Sequence, residues 1–475
     1  MLRTLNANQK LDGPKHKNKE TYLPMTKSLS ILLFASTLAT LPSALSTAQE
    51  VTGNYYDWQR TMKPEQPWQR DYTQTVVMKI LLCERGPDGN VSQVHLTFED
   101  ALDEIKKLDN VTLGVPKIVY LVGWQFTGHD SGYPSWSVVN NRLKRPQDKD
   151  SIQSLRWLMK EGKRYHTTVS LHINMSDAYK NSPLWDTYDK QDIILKDKSG
   201  EPIKGEVFGG MQSYQISYAQ EWRTGFSKRR IDALLAMLPE LRDAGTIHID
   251  AFHSIQPTRP TDPLSSPYLG LTVADEMAGQ RTIVRYWRSN GIDVTTEYDI
   301  GNLKLDPFIG LTPMVWWYSL SRFADFAFFG KTPNFWGLPP TLYTGTPLHG
   351  EEEIKRDPKQ LASLAQQFCE NVVPWYLANS KTPTRSEPSE IPGSHSIFLS
   401  AGWLPSTIVA CRKSGTGEDT KSEEVRHLPQ TWAGVSKVRL MPITADGLVQ
   451  DGELPVKNNT IELHLPESTV YDVQK

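Results

Sequence analysis

Two carboxylates stand at the ends of strand-like runs. Asp250 closes Thr246-Ile247-His248-Ile249-Asp250, and Glu297 closes Ile292-Asp293-Val294-Thr295-Thr296-Glu297. Both runs are rich in β-branched residues, as buried strands are. Neighbouring strands lie about 5 Å apart, and a retaining glycosidase holds its nucleophile and acid/base carboxyls about 5–5.5 Å apart. Asp250 and Glu297 are therefore the expected catalytic pair. An acid at Glu297 needs a raised pKa, which its place behind Val294 and beside Tyr298 would supply. The competing use of each carboxylate is structural, as a hydrogen-bond acceptor in a loop.

Other chemistry-bearing residues collect at further strand ends. They are Trp124, then His129 and Asp130; His172 and Asn174, with Asp177; His253; and Trp316 and Trp317. The strand interiors between them are Val, Ile and Leu, so the polar set marks a mouth. His129 and Asp130 can grip hydroxyls by charge-assisted hydrogen bonds, and tryptophans can stack on a sugar face. Consecutive strand residues face opposite ways, so only one of Trp316 and Trp317 is expected to reach the mouth. His172, Asn174 and Asp177 could orient the site, with ligand contact and structural support equally open for His172. The 14 Trp and 18 Tyr suit a protein that stacks its flat rings against sugars. CxxC, HExxH, GxGxxG and GxxxxGK[ST] are all absent, so neither a metal nor a nucleotide cofactor is expected.

Such a mouth needs a scaffold. From about residue 111 to 380, strand-like runs alternate with amphipathic helices: Ile118–Val122, a helix face at Ile152, Leu155, Leu158 and Met159, then Thr168–Ile173, Tyr214–Ser217, and a helix carrying Ile231, Leu234, Leu235, Leu238 and Leu241. Thr246–Asp250 follows, then a helix through Val273, Met277, Val284 and Trp287 that stops at Asn290-Gly291, then Ile292–Tyr298, Met314–Tyr318 and Phe326–Phe329. That alternation predicts an α/β fold, a (β/α)8 TIM-type barrel over residues 95–380 with its chemistry at the C-terminal strand ends. Residues 49–94 read as a short N-terminal β region, with a strand at Thr75–Leu82 and a hairpin turn at Gly86-Pro87-Asp88-Gly89-Asn90. Thr97 with Asp100 begins a helix. After the Pro-rich stretch near Thr382–Pro388, residues 381–475 read as a C-terminal β-sandwich.

Residues 1–48 read as a leader. Leu29–Leu41 has the length of a secretory signal core, Lys27 precedes it, and Ser46-Thr47-Ala48 offers a cleavage site. Met25 is the expected true start, the preceding stretch being spurious, and the product is expected to be secreted or periplasmic with no stable membrane insertion. With 54 acidic against 52 basic side chains the chain lacks the basic excess of a nucleic-acid binder. Three cysteines, Cys83, Cys369 and Cys411, allow at most one disulfide.

The runs Val119-Tyr120-Leu121-Val122-Gly123-Trp124-Gln125 with Gly128-His129-Asp130-Ser131, then Ser170-Leu171-His172-Ile173-Asn174, then Gly245-Thr246-Ile247-His248-Ile249-Asp250 resemble the catalytic domain of the endo-α-N-acetylgalactosaminidases. These form glycoside hydrolase family 101, with family 129 as close kin. The resemblance covers roughly residues 95–380. It implies an Asp nucleophile at Asp250, a Glu acid/base at Glu297, and a sugar-binding pair at His129-Asp130. It further implies retaining cleavage of α-N-acetylgalactosaminyl linkages in mucin-type O-glycans, so an O-glycoprotein or oligosaccharide is the expected partner. Endo or exo action stays open. Two other classes compete: a metal-dependent amidohydrolase-type barrel, whose usual HxH pair is missing, and a non-catalytic glycan-binding protein.

Overall fold

The computed structural model describes residues 64–252, 264–297, 308, 310–313, 346–347, 358–373, 395–415 and 423–475. Its centre is a parallel sheet of β1 (Val76–Leu81), β2 (Lys117–Val122), β3 (Thr167–Asn174), β4 (Thr246–Asp250) and β5 (Asp293–Thr296), side by side in chain order. A sixth strand, β6 (Thr346–Pro347), lies on the free side of β1. Every pairing in this sheet is parallel.

Alternation along the strands gives the sheet two different faces. One carries Met78, Ile80, Val119, Leu121, Val169, Leu171, Ile173, Ile247, Ile249 and Val294 into the main hydrophobic core. That face is covered by helices α1 (Phe98–Val111), α2 (Ser151–Glu161), α3 (Phe226–Met237), α4 (Val273–Ser289) and α5 (Pro358–Gln367). The helices begin and end where the local chemistry dictates. Thr97 with Asp100, and Thr272 with Asp275, form reciprocal capping boxes at the starts of α1 and α4. Leu102, Ile105 and Leu108 bury one face of α1, while Ile283, Val284 and Trp287 do the same for α4.

The other face is polar, and its contacts reach over intervening strands. The Tyr120 hydroxyl on β2 bonds Thr246 Oγ1 on β4 at 2.6 Å. The Lys79 ammonium on β1 pairs with Glu297 just beyond β5. Four inter-strand steps separate β1 from β5, about 19 Å along a flat sheet, farther than a lysine and a glutamate can span together. The sheet must therefore curl with this face inside.

Two expectations are corrected here. Val76–Leu81 is not part of a separate N-terminal region: it pairs along its whole length with β2, so the central sheet begins before residue 95. Tyr214–Ser217 does not join that sheet either. Met211–Gln215 pairs antiparallel with Lys204–Phe208 and Asp177–Ala178 in a small side sheet, in keeping with its half-polar sequence. The expected hairpin exists, between Cys83–Arg85 and Val91–Val94. The strands expected at Met314–Tyr318 and Phe326–Phe329 lie outside the described residues.

The C-terminal part is antiparallel. Ser396–Ser400, Thr407–Arg412, Val470–Gln474 and Lys437–Thr444 pair in that order, and Glu423–His427 pairs with Thr460–His464 in a second sheet. Phe398, Ile408, Trp432, Val438, Ile461 and Leu463 share one core. Asn110 at the end of α1 donates to the Ala445 carbonyl at 2.7 Å, and Trp403 donates to the Leu113 carbonyl at 3.0 Å. All three cysteines are buried and free. Among the described residues no helix is long and apolar enough to cross a membrane.

The turn that carries the chain out of β2 depends on Gly123. Its φ is +74°, and a Cβ there would lie 2.1 Å from the Cys83 carbonyl oxygen. Neither atom can yield without opening the sheet. Gly123→Ala is expected to destabilise the fold by about 3 kcal/mol or more, read as a lowered midpoint in urea unfolding. A variant within about 0.5 kcal/mol of wild type would contradict this close approach.

Candidate active site

Strand register builds the site. Asn174 at the end of β3 lies opposite Asp250, and His172 opposite His248. His248 in turn lies opposite Thr295, and Ile249 opposite Thr296. One residue further on, Glu297 comes beside Asp250. The inner face thus ends in a rim of Asn174, Asp250 and Glu297, above a layer of Lys79, His172, His248 and Thr295.

Glu297 is buried, and protein groups surround both of its carboxyl oxygens. Oε1 meets the Lys79 ammonium and His248 Nε2 at 3.3 Å, with His172 Nε2 at 3.8 Å. Oε2 accepts the Ala251 backbone N–H at 3.3 Å. Burial alone would favour the neutral acid, but the Lys79 charge and the two imidazoles outweigh it and hold Glu297 well below the usual glutamate range. The imidazoles themselves are neutral. Burial holds His172 well below 6.5 and pushes His248 down to about 4, with the Lys79 charge adding to both. His248 Nδ1 lies 2.8 Å from Thr295 Oγ1. A neutral ring whose Nε2–H faces the carboxylate and whose Nδ1 accepts from the hydroxyl fits both contacts.

Asp250 is in the opposite state. It is partly buried, its side chain 19% exposed, and its Oδ1 lies 3.9 Å from the same His172 Nε2 that faces Glu297. Burial, then the negative charges of Glu297 and Asp130, raise its carboxyl well above the usual aspartate range. Its Oδ2 accepts from Asn174 Nδ2 at 3.2 Å, and the same amide donates to Asp177 Oδ2 at 2.9 Å. The Asn174 carbonyl is fixed from behind by the Ser176 and Asp177 N–H groups, each at 2.8 Å. The pair thus holds its proton on Asp250 and its charge on Glu297, the reverse of the raised glutamate expected from sequence.

The other expected residues divide clearly. His129 and Asp130 stand at the mouth and remain partly exposed, 3.4 Å apart, with the His129 ring edge-on to His172 at 5.3 Å. They follow β2, the second strand of the sheet. His172 is buried and faces both carboxyls, so it supports them from below. Trp124 is a correction. Its ring is fully buried and its indole N–H donates to the His172 carbonyl at 2.9 Å, so it braces β3 from within the core and offers no face to a sugar. Glu276 on α4 accepts from Ser217 and from the Ala219 N–H at the start of a short helix, a structural task. His253, Trp316, Trp317 and Tyr298 lie outside the described residues.

Sequence reasoning passed over Lys79, although its signal was present: one charge inside the apolar run Val76-Val77-Met78-Lys79-Ile80-Leu81. Two donor groups have spacing a metal could use, His129 with His172 and Asp250, and His172 with His248 and Glu297. In the second, the Lys79 ammonium already supplies the positive charge that a cation would bring.

Asp177 yields a pH prediction. Burial, with the Asp130 charge second, raises its carboxyl from 3.8 to about 7. The folded state therefore binds this proton more tightly than the unfolded chain. That contribution is fully present below about pH 4 and is lost as pH rises through about 7. Asp177→Asn should flatten the fall in melting temperature between pH 4 and 7. An unchanged pH profile would rule out Asp177 as the titrating group.

Residues 66–300 match the family model described as endo-alpha-N-acetylgalactosaminidase, glycoside hydrolase 101. Among solved structures, the alpha-N-acetylgalactosaminidase NagBb from Bifidobacterium bifidum, as its GalNAc complex, is similar at 13% identity and a TM-score of 0.41. That match covers 71% of this chain and 55% of that one. An Anoxybacillus alpha-amylase is similar at 10% identity and a TM-score of 0.45, over 86% of this chain and 99% of that one. The alpha-galactosidase TtGalA from Thermus thermophilus, with stachyose, is similar at 15% identity and a TM-score of 0.36, over 66% and 55%. The chain spans 36–57% of the NagBb chains it matches. Residues 66–300, just under half of the chain, are thus similar to the endo-alpha-N-acetylgalactosaminidases of glycoside hydrolase family 101.

Proposed function

We propose that this chain is a retaining α-glycoside hydrolase acting on α-N-acetylgalactosaminyl linkages of mucin-type O-glycans, with Asp250 as nucleophile and Glu297 as acid/base. One observation carries the reading: Asp250 and Glu297 stand at the ends of adjacent parallel strands, with His172 Nε2 3.9 Å from the first carboxyl and 3.8 Å from the second. Inverting enzymes keep the two groups about 6.5–9.5 Å apart to seat a water between acid and base, whereas neighbouring strands, about 5 Å apart, suit the closer pair of a retaining enzyme. The linkage itself is taken from the family. Export is part of the proposal and rests on the apolar run Leu29–Leu41.

In the first step the proton held on Asp250 passes to Glu297 as substrate binds, an Asp250 oxygen then bonds to the anomeric carbon as the glycosidic bond breaks, and Glu297 gives that proton to the departing oxygen. In the second, a water oxygen attacks that carbon and Glu297 takes the water's proton. The ester electrons return to Asp250, and two inversions retain the α configuration. His129 and Asp130 at the mouth are suited to sugar hydroxyls.

The proton on Asp250 and the charge on Glu297 favour a second reading with the roles exchanged, Glu297 as nucleophile and Asp250 as acid. Trapping with a fluorinated, activated α-N-acetylgalactosaminide separates the two. On the first reading the labelled peptide carries Asp250, and Asp250→Asn lowers turnover at least about a hundredfold, close to 3 kcal/mol of barrier. Label on Glu297 would reverse the assignment.

Glu297→Ala is expected to harm a Ser/Thr-linked glycan far more than a nitrophenyl glycoside, because a good leaving group needs no proton. With the activated substrate the covalent intermediate should accumulate. Azide, which needs no base, should then restore turnover as the α-glycosyl azide. A β-azide, or no rescue, would refute Glu297 as acid/base.

A further inference from the structure

A buried lysine in a strand is costly unless its charge has a partner, and the other five residues of β1 are Val, Val, Met, Ile and Leu. Lys79 is 2% exposed and spends its charge on Glu297, the carboxylate that must release and recover a proton in each turnover. The remaining groups facing that carboxylate are His172 from β3, His248 and Asp250 from β4, and the Ala251 N–H. Asp130 adds negative charge from beyond Asp250. Among the described residues Lys79 is thus the one lysine or arginine paired with Glu297, held there by a strand.

We propose that Lys79 is a positioning residue that holds Glu297 as an anion once it has protonated the leaving group, and so makes it the base of the water-consuming step. The inference rests on the retaining mechanism proposed above. After the first step the proton has left with the aglycone, and Glu297 is a buried carboxylate beside the sugar ester. With Lys79 in place that anion is paired and persists until water arrives. Without Lys79, Glu297 would draw a proton from solvent and could not accept the one that water must lose. Lys79 exchanges no proton itself. It touches Glu297 and acts through it.

The test uses the full chain, and its first arm needs no substrate. Glutamate-selective 13C labelling, with the Glu297 resonance assigned by its loss in Glu297→Gln, follows that carboxyl through pH. In the wild type it stays ionised through the acid range. In Lys79→Met its midpoint rises by about one pH unit or more, and Lys79→Arg returns it toward the wild-type position. The second arm measures kcat on a nitrophenyl α-N-acetylgalactosaminide, whose departure needs no acid, so that the water step limits. In Lys79→Met kcat falls at least about tenfold and its acid limb moves to higher pH. Azide recovers the lost turnover, and Lys79→Arg keeps the wild-type limb. Lys79→Gln repeats both arms should the Met variant not melt cooperatively.

An unmoved Glu297 resonance in a folded Lys79 variant overturns the proposal whatever the substrate. A moved resonance with an unmoved acid limb overturns the base-step role. A wild type inert toward the glycoside refutes the glycosidase reading instead, and the first arm still reports whether Lys79 holds Glu297, so the two failures are told apart.

Discussion

The contact between Lys79 and Glu297 sets the terms for the rest of the molecule. It joins the first strand of the sheet to the end of the fifth, and it can form only if the three strands between them bend around it. The hydrophobic face supplies the energy for that bend. Its Val, Ile and Leu side chains are driven under the helices, and the polar side chains are left on the concave side, where they must satisfy one another. Tyr120 finds Thr246, His248 finds Thr295, and Asn174 finds both Asp250 and Asp177. The interior is thus a network of short polar contacts inside an apolar wall, an arrangement that rigidifies when it is fully satisfied.

The same network sets the charge of the site. Two neighbouring carboxyls cannot both ionise cheaply, so one proton is shared between them. Lys79 and the neutral imidazoles draw the charge to Glu297, and Asp130 pushes the proton toward Asp250. A substrate that buries the mouth and develops positive charge at its anomeric carbon would favour the charge on Asp250 instead. The proposed chemistry therefore needs the proton to move from Asp250 to Glu297 before the glycosidic bond breaks.

Much of this was legible in the sequence because strand ends announce themselves. Apolar β-branched runs stop at Asn174, Asp250 and Glu297, and parallel pairing in chain order then places those residues in one row. The helix starts at Thr97 and Thr272 could be read from side chains that cap their own backbones. What escaped reading required knowledge of the curl. Lys79 looks out of place in an apolar strand until β5 is brought around to face it. For the same reason β1 was set apart as an N-terminal element, since nothing local marks Val76–Leu81 as a neighbour of Lys117–Val122. Trp124 misled in the other direction: a tryptophan beside a strand end suggests a sugar platform, and only three-dimensional packing turns it into a core brace. The glutamate's charge state was misjudged because burial was weighed without the lysine that burial brings with it.

Ala251 has a consequence of a different kind. It follows Asp250 directly with φ at +45°, a left-handed conformation that costs a residue with a Cβ about 1–3 kcal/mol. In that twisted peptide the N–H reaches Glu297, so backbone strain and an active-site contact share one residue. Glycine would relax the strain, yet it would also free the hinge that sets the angle between Asp250 and its partner. Selection for stability and selection for alignment therefore pull this position in opposite directions. A search for thermostable variants would be drawn to it, and in the proposed enzyme firmness gained there would come at the expense of rate.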